Sequence, residues 1–380
     1  MRVQGVDVVS GKALSLEIRD GFVAGIERIP PEPGMPWLSR GFLDIQVNGY
    51  RGIDYSGAGL EGADVTRMAG FLAVSGTTRH VPTIITNSRE RILRNLEIIA
   101  GAVSSDPGLA AAIPGIHLEG PFICRDEGPR GAHDPRYVRD PSLAEFEEWI
   151  AASRGLLRMV TLAPELDGAL ELIEEGVRRG VVMAIGHTAA SGDRIARAVA
   201  AGASLSTHLG NGSHATVPRL RNYLWEQLGA DGLAASVISD GFHLPESVLK
   251  VFARAKGPER LVLVSDVASL GGSEPGAYRW GDVEVEVYPD RHIGLRGTPF
   301  LAGAGHLLDW DIAHFARATG TDIRDAVRLA TSNPEAVLGL PSPGPGFRVG
   351  DRADLTRFTY DVSGGPLVIL DTVFGTEIRR

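Results

Sequence analysis

Three residues combine metal-binding side chains with positions directly after apolar runs. Glu119 closes the apolar part of GIHLEGPFI, and Gly120-Pro121 breaks the run at once. A buried carboxylate is costly unless a cation or a hydrogen-bonded partner compensates it. His187, in AIGHTAA, and His208, in LSTHLGNG, also follow apolar runs. Because two imidazoles and a carboxylate suit zinc and leave a position open for water, we predict one divalent metal ion, zinc, at these residues. The alternative is a pair of hydrogen-bonded core histidines.

Asp266 is a candidate acid and base beside this metal. It follows the apolar run in LVLVSDVAS. A carboxylate there could take a proton from the attacking water and later protonate a leaving group. The alternative is a helix N-cap, a position to which aspartate is well suited. The β-branched and leucine residues before it favour the active-site role.

Eight short β-type runs have the order needed to bring these residues together. Most of them precede an amphipathic helical stretch, such as 167–180 or 192–202. The runs cover residues 41–49, 77–86, 113–120, 158–165, 181–188, 204–211, 234–241 and 261–267. This alternation predicts a parallel (β/α)8 TIM barrel, in which chemistry takes place at the C-terminal ends of the strands. The competing fold is an open doubly wound sheet, but no Gly-x-Gly-x-x-Gly fingerprint follows the first strand.

The predicted strand ends carry polar or ionisable side chains almost throughout. In chain order they are Gln46 with Asn48, His80, Glu119, Glu165, His187, His208, Asp240 with His243, and Asp266. Each one alone would suit a hydrogen-bonding or capping role, whereas their alignment on one rim predicts an active site. We assign His80, which precedes Val81-Pro82, to a structural role.

Both chain termini have β-type patterns of their own. Segments 6–9, 14–18 and 22–29 are separated by turns, and the Asp-Gly between the last two is a hairpin signal. Similar segments return at 354–360, 367–370 and 372–374. We therefore predict a small β-sandwich domain from residues 1–40 and 346–380 and a hydrolase barrel from residues 41–345, with two further helices within 304–340.

Composition limits the classes of partner. A formal net charge of -9 argues against nucleic acid or an anionic membrane as the main partner. The only cysteine, Cys124, fits a reducing compartment and lacks a paired base in its local sequence, so we expect a bystander thiol. The sequence has no signal-peptide pattern and no apolar run long enough for a membrane helix, so we expect a cytoplasmic protein without membrane contacts.

Six motifs together resemble those of one enzyme family. GFLDIQVNG, GIHLEGPF, AIGHT, STHLGNG, SDGFH and LVSDVAS, in this order, are similar to the motifs of the N-acetylglucosamine-6-phosphate deacetylase family in the amidohydrolase superfamily. The resemblance covers nearly the whole chain. It implies a (β/α)8 barrel with a β-sandwich from both termini, and hydrolysis of the acetamide of an amino sugar phosphate to acetate and the free amine.

The resemblance also implies roles for individual residues. The family's metal ligands fall on Glu119, His187 and His208, and its acid/base falls on Asp266. His133, in RGAHDP, would polarise the acetamide carbonyl. Substrate contacts fall on Ala132, Asn211, Gly212, the segment from Asp240 through His243, and Leu301, Ala302 and Gly303. The family's phosphate-binding arginine, which comes from the neighbouring subunit of a homodimer, falls on Arg219.

The sequence departs from the family pattern in two places. Gln46 and Asn48 stand where many amidohydrolases have His-x-His, so we predict a single metal with these two amides as polar support around it. After His208 the family reads Asn-Ala-Met and ends in Arg-Glu-Pro-Gly, whereas this chain reads GNGSHATVPRLRNYLWEQ. Arg219 keeps the family offset, with Arg221 and His214 as further candidates, and His306 replaces a small or apolar residue.

Three functions therefore remain open. The first is deacetylation of N-acetylglucosamine 6-phosphate. The second is a related amidohydrolase reaction on N-acetylgalactosamine 6-phosphate or on a non-phosphorylated N-acyl amine. The third is a non-catalytic sugar-binding barrel, whose signature would be a lost metal ligand or a lost acid/base, and this sequence retains both.

Overall fold

The structure is a computed structural model that describes residues 1–280, 283–298, 300–341 and 346–379. The predicted domain limits at residues 345 and 380 lie outside the described residues. The strands are β1 (Arg2–Asp7), β2 (Ala13–Arg19), β3 (Phe22–Arg28), β4 (Trp37–Arg40), β5 (Phe42–Val47), β6 (Gly49–Tyr50), β7 (Ile53–Asp54), β8 (Thr77–Ile85), β9 (Ile116–Glu119), β10 (Leu157–Leu162), β11 (Val182–Ile185), β12 (Leu205–Ser206), β13 (Ala234–Val237), β14 (Leu261–Leu263), β15 (Gly276–Trp280), β16 (Val283–Val287), β17 (Ile293–Leu295), β18 (Asp354–Thr359), β19 (Val368–Phe374) and β20 (Glu377–Arg379). The helices are α1 (Gly62–Ala73), α2 (Arg89–Ser105), α3 (Pro107–Ala112), α4 (Leu143–Ala152), α5 (Ala169–Arg178), α6 (Gly192–Ala200), α7 (Tyr223–Gly229), α8 (Glu246–Lys256), α9 (Leu308–Thr319), α10 (Ile323–Arg328) and α11 (Ser332–Val337).

The central sheet is a nearly closed barrel of eight parallel strands. Its order is β5-β8-β9-β10-β11-β12-β13-β14, and a parallel bridge from Val47 to Val267 joins the two ends. Each of the eight predicted runs overlaps one of these strands, so the predicted barrel is confirmed. Every residue of β5 and β9 is buried, as expected for parallel strands covered by helices on their outer side.

The helices cover the barrel with amphipathic faces. In α5 the buried residues Ala169, Leu172, Ile173 and Gly176 follow helical spacing. The α6 helix begins after Ser191, whose hydroxyl accepts the Arg194 N–H. Among the described residues, no helix combines the length and the apolar character needed to cross a membrane.

Both termini contribute to one separate seven-stranded sheet, β20-β19-β18-β4-β1-β2-β3. A bridge between Phe22 and Arg352 brings the β3 edge back to the segment before β18, so the sheet curls around its own apolar core. β1 begins four residues before its predicted segment and β2 is one residue longer at each end, whereas β3 and β18 each end one residue earlier than predicted. β19 merges two predicted segments because the residue between them stays extended. The predicted limits of the two domains stay a prediction.

Two features of the C-terminal half were not predicted. A three-stranded antiparallel sheet, β15-β16-β17, lies between the last barrel strand and α9. Three helices, α9, α10 and α11, occupy the region for which two were predicted. The last of them carries Glu335, a buried carboxylate to which Arg40 of β4 donates at 2.9 Å, so this contact connects the terminal sheet to the barrel side.

Candidate active site

The predicted metal ligands and the acid/base meet at the C-terminal ends of four barrel strands. Glu119 is the last residue of β9, and His187 and His208 each lie two residues beyond β11 and β12. Asp266 lies three residues beyond β14. The backbone turns sharply there, because His187, His208 and Asp266 have φ of 50°, 29° and 50°. Non-glycine residues rarely adopt this left-handed conformation, and such strain concentrates at functional sites.

The side chains form a tight buried group. Glu119 Oε1 lies 3.0 Å from His187 Nε2 and 2.7 Å from His208 Nε2, and the two imidazole nitrogens are 3.1 Å apart. His133 Nε2 lies 3.2 Å from His187 Nε2. Tetrahedral zinc with bonds of about 2.0–2.1 Å separates its ligand atoms by about 3.3 Å. Ligand atoms of Glu119, His133 and His187 lie within 4.8 Å of one another, and His208 Nε2 lies 2.7 Å from Glu119 Oε1, so the group is compact enough to hold a metal ion with little rearrangement.

The orientation of His187 suits a metal ligand. Its Nδ1 lies 2.8 Å from the carbonyl oxygen of Pro129, so Nδ1 carries a proton and donates it to that carbonyl, and Nε2 is the nitrogen that faces Glu119 and would bind a metal ion. Gly212 packs directly against this ring, since a Cβ built there would lie 2.7 Å from His187 Nδ1. The φ of Gly212 is +56°, so a side chain at this position would be both crowded and strained.

The electrostatics of the group call for a positive charge. Burial alone would raise the pKa of Glu119, but hydrogen bonds to His187 and His208 hold it well below its usual range. Burial likewise disfavours charge on His208, yet the contact with Glu119 raises its pKa to about 9. A proton on His208 therefore compensates Glu119 when no ion is present, and a divalent cation would displace that proton on binding.

His133 joins the group from the segment that follows β9. Its Nδ1 lies 2.7 Å from the hydroxyl of Thr86. Burial lowers the pKa of His133 to about 3, so the ring is neutral at physiological pH. A neutral imidazole whose Nδ1 accepts the Thr86 hydroxyl proton carries its own proton on Nε2, which faces the group of ligands.

Asp266 faces the same group and is held by the predicted amide. Asn48 Nδ2 donates to Asp266 Oδ1 at 2.7 Å. Burial, followed by the negative charge of Glu119, raises the pKa of Asp266 to about 6. A carboxyl group with a pKa near the working pH can both accept and donate a proton.

These residues line a cavity of about 480 Å3. The lining includes thirteen of the predicted site residues, namely Asn48, Glu119, Ala132, His133, His187, His208, Asn211, Gly212, Phe242, His243, Asp266, Leu301 and Gly303. It also includes residues that were not predicted, among them Asp54, Ser56, Ile85, Ser269 and Phe300. Phe300 adjoins the predicted residue Leu301 in the sequence, so proximity was the available signal for it. Asp54 and Ser56 follow the first barrel strand and carried no such signal.

Five predicted residues lie outside the lining, and one of them is Gly241, between Asp240 and Phe242. Gln46 is buried next to Asp266, whose backbone N–H it accepts at 3.0 Å. The Asp240 carboxylate bonds to His243 Nδ1 at 2.7 Å and so acts on a residue that does line the cavity. Ala302 is buried beside the lining. Arg219 is exposed on the segment after His208 and does not reach the cavity of its own chain.

Two other polar strand ends make local contacts. Glu165 accepts hydrogen bonds from the Thr188 hydroxyl and the Ala189 N–H, and so holds the segment after His187. His80 Nε2 lies 2.8 Å from the hydroxyl of Tyr55, and both residues are buried.

Known proteins resemble this chain over most of its length. No protein-family model matches it. It is 33% identical over 329 residues to the N-acetylglucosamine-6-phosphate deacetylase of Rattus norvegicus, covering 83% of this chain and 78% of the rat protein. It is 29% identical over 345 residues to the N-acetylgalactosamine-6-phosphate deacetylase of an Escherichia coli strain, covering 90% of this chain and 89% of that protein.

The fold of this chain is also similar to those of solved structures. A mutant N-acetyl-D-glucosamine-6-phosphate deacetylase from Mycobacterium smegmatis, solved in complex with N-acetyl-D-glucosamine-6-phosphate, superposes with a TM-score of 0.86 at 28% identity, covering 99% of both chains. The N-isopropylammelide isopropylaminohydrolase of Burkholderia multivorans shares the fold at a TM-score of 0.58 and 14% identity. On the identity to the rat protein and this shared barrel, the chain belongs to the N-acetylglucosamine-6-phosphate deacetylase family, within the amidohydrolase fold.

Proposed function

We propose that this protein hydrolyses the acetamide of N-acetylglucosamine 6-phosphate, giving acetate and glucosamine 6-phosphate. The observation that carries the proposal is the buried group of Glu119, His187 and His208 beside Asp266, in a cavity large enough for an amino sugar. The relative solved with N-acetyl-D-glucosamine-6-phosphate supports the choice of substrate. A sugar-binding barrel without catalysis would not need this strained, fully equipped set of side chains.

Glu119, His187 and His208 would hold one divalent metal ion, which we propose to be zinc. When bound, the ion would supply Lewis-acid polarisation of the carbonyl and of the attacking water. The proposal of a single ion rests on Gln46 and Asn48, because amides are poor zinc ligands and Asn48 is already committed to Asp266.

The protein side chains would handle the protons. Asp266 takes a proton from the attacking water, and Asn48 holds its carboxylate in place during the transfer. His133 donates its Nε2 proton as a hydrogen bond to the carbonyl oxygen, where negative charge develops. Asp266 then returns its proton to the departing amine, which leaves poorly without it.

Recognition of the phosphate is proposed to need a second subunit. Among the described residues that line the cavity there is no arginine or lysine to pair with a phosphate dianion. Arg219 lies on an exposed segment whose neighbours Leu220 and Trp225 are 73% and 52% exposed. We propose a homodimer in which this segment of one subunit brings Arg219 to the cavity of the other. Ala302 and Asp240 would support the substrate contacts of Leu301, Gly303 and His243.

Two further assignments complete the proposal. The single cysteine, Cys124, supports a cytoplasmic location. The limits 1–40 with 346–380, and 41–345, are proposed for the two domains, because β4 ends at Arg40 and pairs only within the terminal sheet.

The test compares acetate release from four sugars, namely N-acetylglucosamine and N-acetylgalactosamine, each with and without a 6-phosphate. We expect N-acetylglucosamine 6-phosphate to be the best substrate by kcat/KM. Equal rates with and without phosphate would overturn the phosphate assignment and favour the non-phosphorylated alternative. Arg219→Ala should raise KM for phosphorylated sugars only, and sedimentation should show a dimer.

A further inference from the structure

The loop that carries His243 folds around a carboxylate of its own. We name residues 239–243 the Asp240 loop. Asp240 Oδ1 accepts the backbone N–H of Phe242 at 2.8 Å and that of His243 at 2.9 Å. Its other oxygen lies 2.7 Å from His243 Nδ1. These contacts orient the imidazole, whose other nitrogen is left for the cavity that His243 lines.

The α9 helix holds the backbone of this loop. Trp310, in its first turn, donates its Nε1–H to the carbonyl oxygen of Asp240 at 2.9 Å. His314, one turn further on the same face, packs against Gly241, where a Cβ would lie 3.0 Å from its Nε2. The φ of Gly241 is +88°, so the chain makes its turn directly over this helix face. The Trp310 bond is thus a direct connection from α9 to the residue that orients His243.

A stack of aromatic rings holds the side chain of Phe242, which also belongs to the Asp240 loop. The ring centroid of His292 lies 4.8 Å from that of Phe242, with an angle of 28° between the ring planes. On the other side, the ring centroid of His306 lies 5.9 Å from that of Phe242, with an angle of 1°. The stack continues from His292 to Tyr288, at a centroid distance of 4.1 Å, and from His306 to Trp310, at 4.3 Å. Trp310 therefore makes two separable contacts with the Asp240 loop: a stacking contact through His306 and a hydrogen bond to the backbone.

We propose that Trp310 is a positioning residue for substrate binding, which acts through Asp240 to fix the imidazole of His243 in the cavity. The expected effect on KM rests on the proposed function, because it assumes that the substrate is N-acetylglucosamine 6-phosphate. Trp310 touches no reacting group, and the amide-cleaving residues lie on other strands. Its hydrogen bond therefore acts on substrate binding, which appears in KM, more than on the chemical step, which appears in kcat.

The test is a double-mutant cycle between Trp310→Phe and His243→Gln. Phenylalanine keeps a ring for the stack and removes only the N–H donor. Loss of one neutral hydrogen bond should raise KM for N-acetylglucosamine 6-phosphate by about three- to tenfold, with kcat within about twofold. In a protein that already carries His243→Gln, Trp310→Phe should cause no further increase in KM, because the imidazole that Trp310 positions is no longer present. Trp37→Phe, in the terminal sheet, is the matched control and should leave both constants unchanged.

A second measurement does not depend on turnover. The His243 ring resonance, assigned by its loss in His243→Gln, should shift in Trp310→Phe and stay in place in Trp37→Phe. Multiplicative effects on KM in the cycle, or an unmoved His243 resonance, would overturn the proposal. Absence of acetate release by the unmodified protein would instead overturn the proposed function. The shift of the His243 resonance would then be the only measurement that decides whether Trp310 positions His243.

Discussion

Replacement of Asp266 by asparagine separates proton transfer from metal binding. The amide oxygen of the new side chain can still accept the Asn48 Nδ2–H, which lies 2.7 Å from Asp266 Oδ1, so the geometry should survive. The new group cannot take a proton from water or return one to the amine. General acid-base catalysis contributes about 10²–10⁴-fold. Because Asp266 would serve both steps, we expect kcat to fall by about 10⁴-fold.

The same substitution should stabilise the metal-free protein. The pKa of Asp266 is raised from 3.8 to about 6, mainly by burial. A raised pKa means that the ionised carboxylate is less favourable in the folded protein than in the unfolded chain. It therefore lowers the free energy of unfolding above the folded-state pKa, and this loss is absent below the pKa of the unfolded chain, where the group is protonated in both states. At neutral pH this cost is up to about 3 kcal/mol, at 1.36 kcal/mol for each pKa unit. Loss of activity together with a gain in stability is the pattern of a functional residue.

The assay measures acetate release, metal content and urea unfolding on the same preparations. Asp361→Asn, at an exposed carboxylate in the loop between β18 and β19, serves as the control. We expect Asp266→Asn to retain its metal, because none of the contacts among Glu119, His187 and His208 involves Asp266. A variant that keeps a tenth or more of kcat would refute the assignment of Asp266 as acid and base.

Three further predictions concern the metal, the fold and pH. Gly212→Ala should weaken metal affinity by about 10–100-fold in a metal titration, because the added Cβ would displace the His187 ring. Gly59→Ala is the control, since no atom lies within 4 Å of a Cβ at that position. Lys256→Met should lower the free energy of unfolding by about 2–4 kcal/mol, since the buried Nζ donates to three backbone carbonyls. The exposed Lys250→Met should unfold like the unmodified protein, and equal curves for both variants would contradict this account. For pH, kcat should fall below about pH 6 as Asp266 takes up its proton, whereas a profile flat to pH 5 would contradict a raised pKa for the base.

The barrel and the meeting of its ligands could be predicted from the sequence. Parallel strands that end on the same rim must bring their terminal side chains together, so Glu119, His187 and His208 converge whatever the details of the loops. The terminal sheet followed from similar β-type patterns at both ends of the chain. These predictions depend on regular geometry and on chemical type, both of which the sequence displays directly.

The supporting contacts could not be predicted in this way. The Pro129 carbonyl that orients His187 is a backbone atom, which has no signature in the sequence. The left-handed conformations of His187 and His208 are imposed by the surrounding fold against the usual preference of histidine. Trp310 belongs to no recognised motif, and its hydrogen bond to the Asp240 loop depends on a tertiary contact with a residue 70 positions away in the sequence.

The most direct test of the account is metal analysis of the unmodified protein and of Glu119→Gln, with acetate release from N-acetylglucosamine 6-phosphate measured on both. Glu119 Oε1 lies 3.0 Å from His187 Nε2 and 2.7 Å from His208 Nε2 and belongs to the only carboxylate among these three residues, and the amide of glutamine cannot replace it as an anionic ligand. We predict one equivalent of divalent metal and metal-dependent turnover for the unmodified protein, and loss of both for Glu119→Gln. Full metal content and activity in Glu119→Gln would contradict the central claim that Glu119, His187 and His208 hold the catalytic ion.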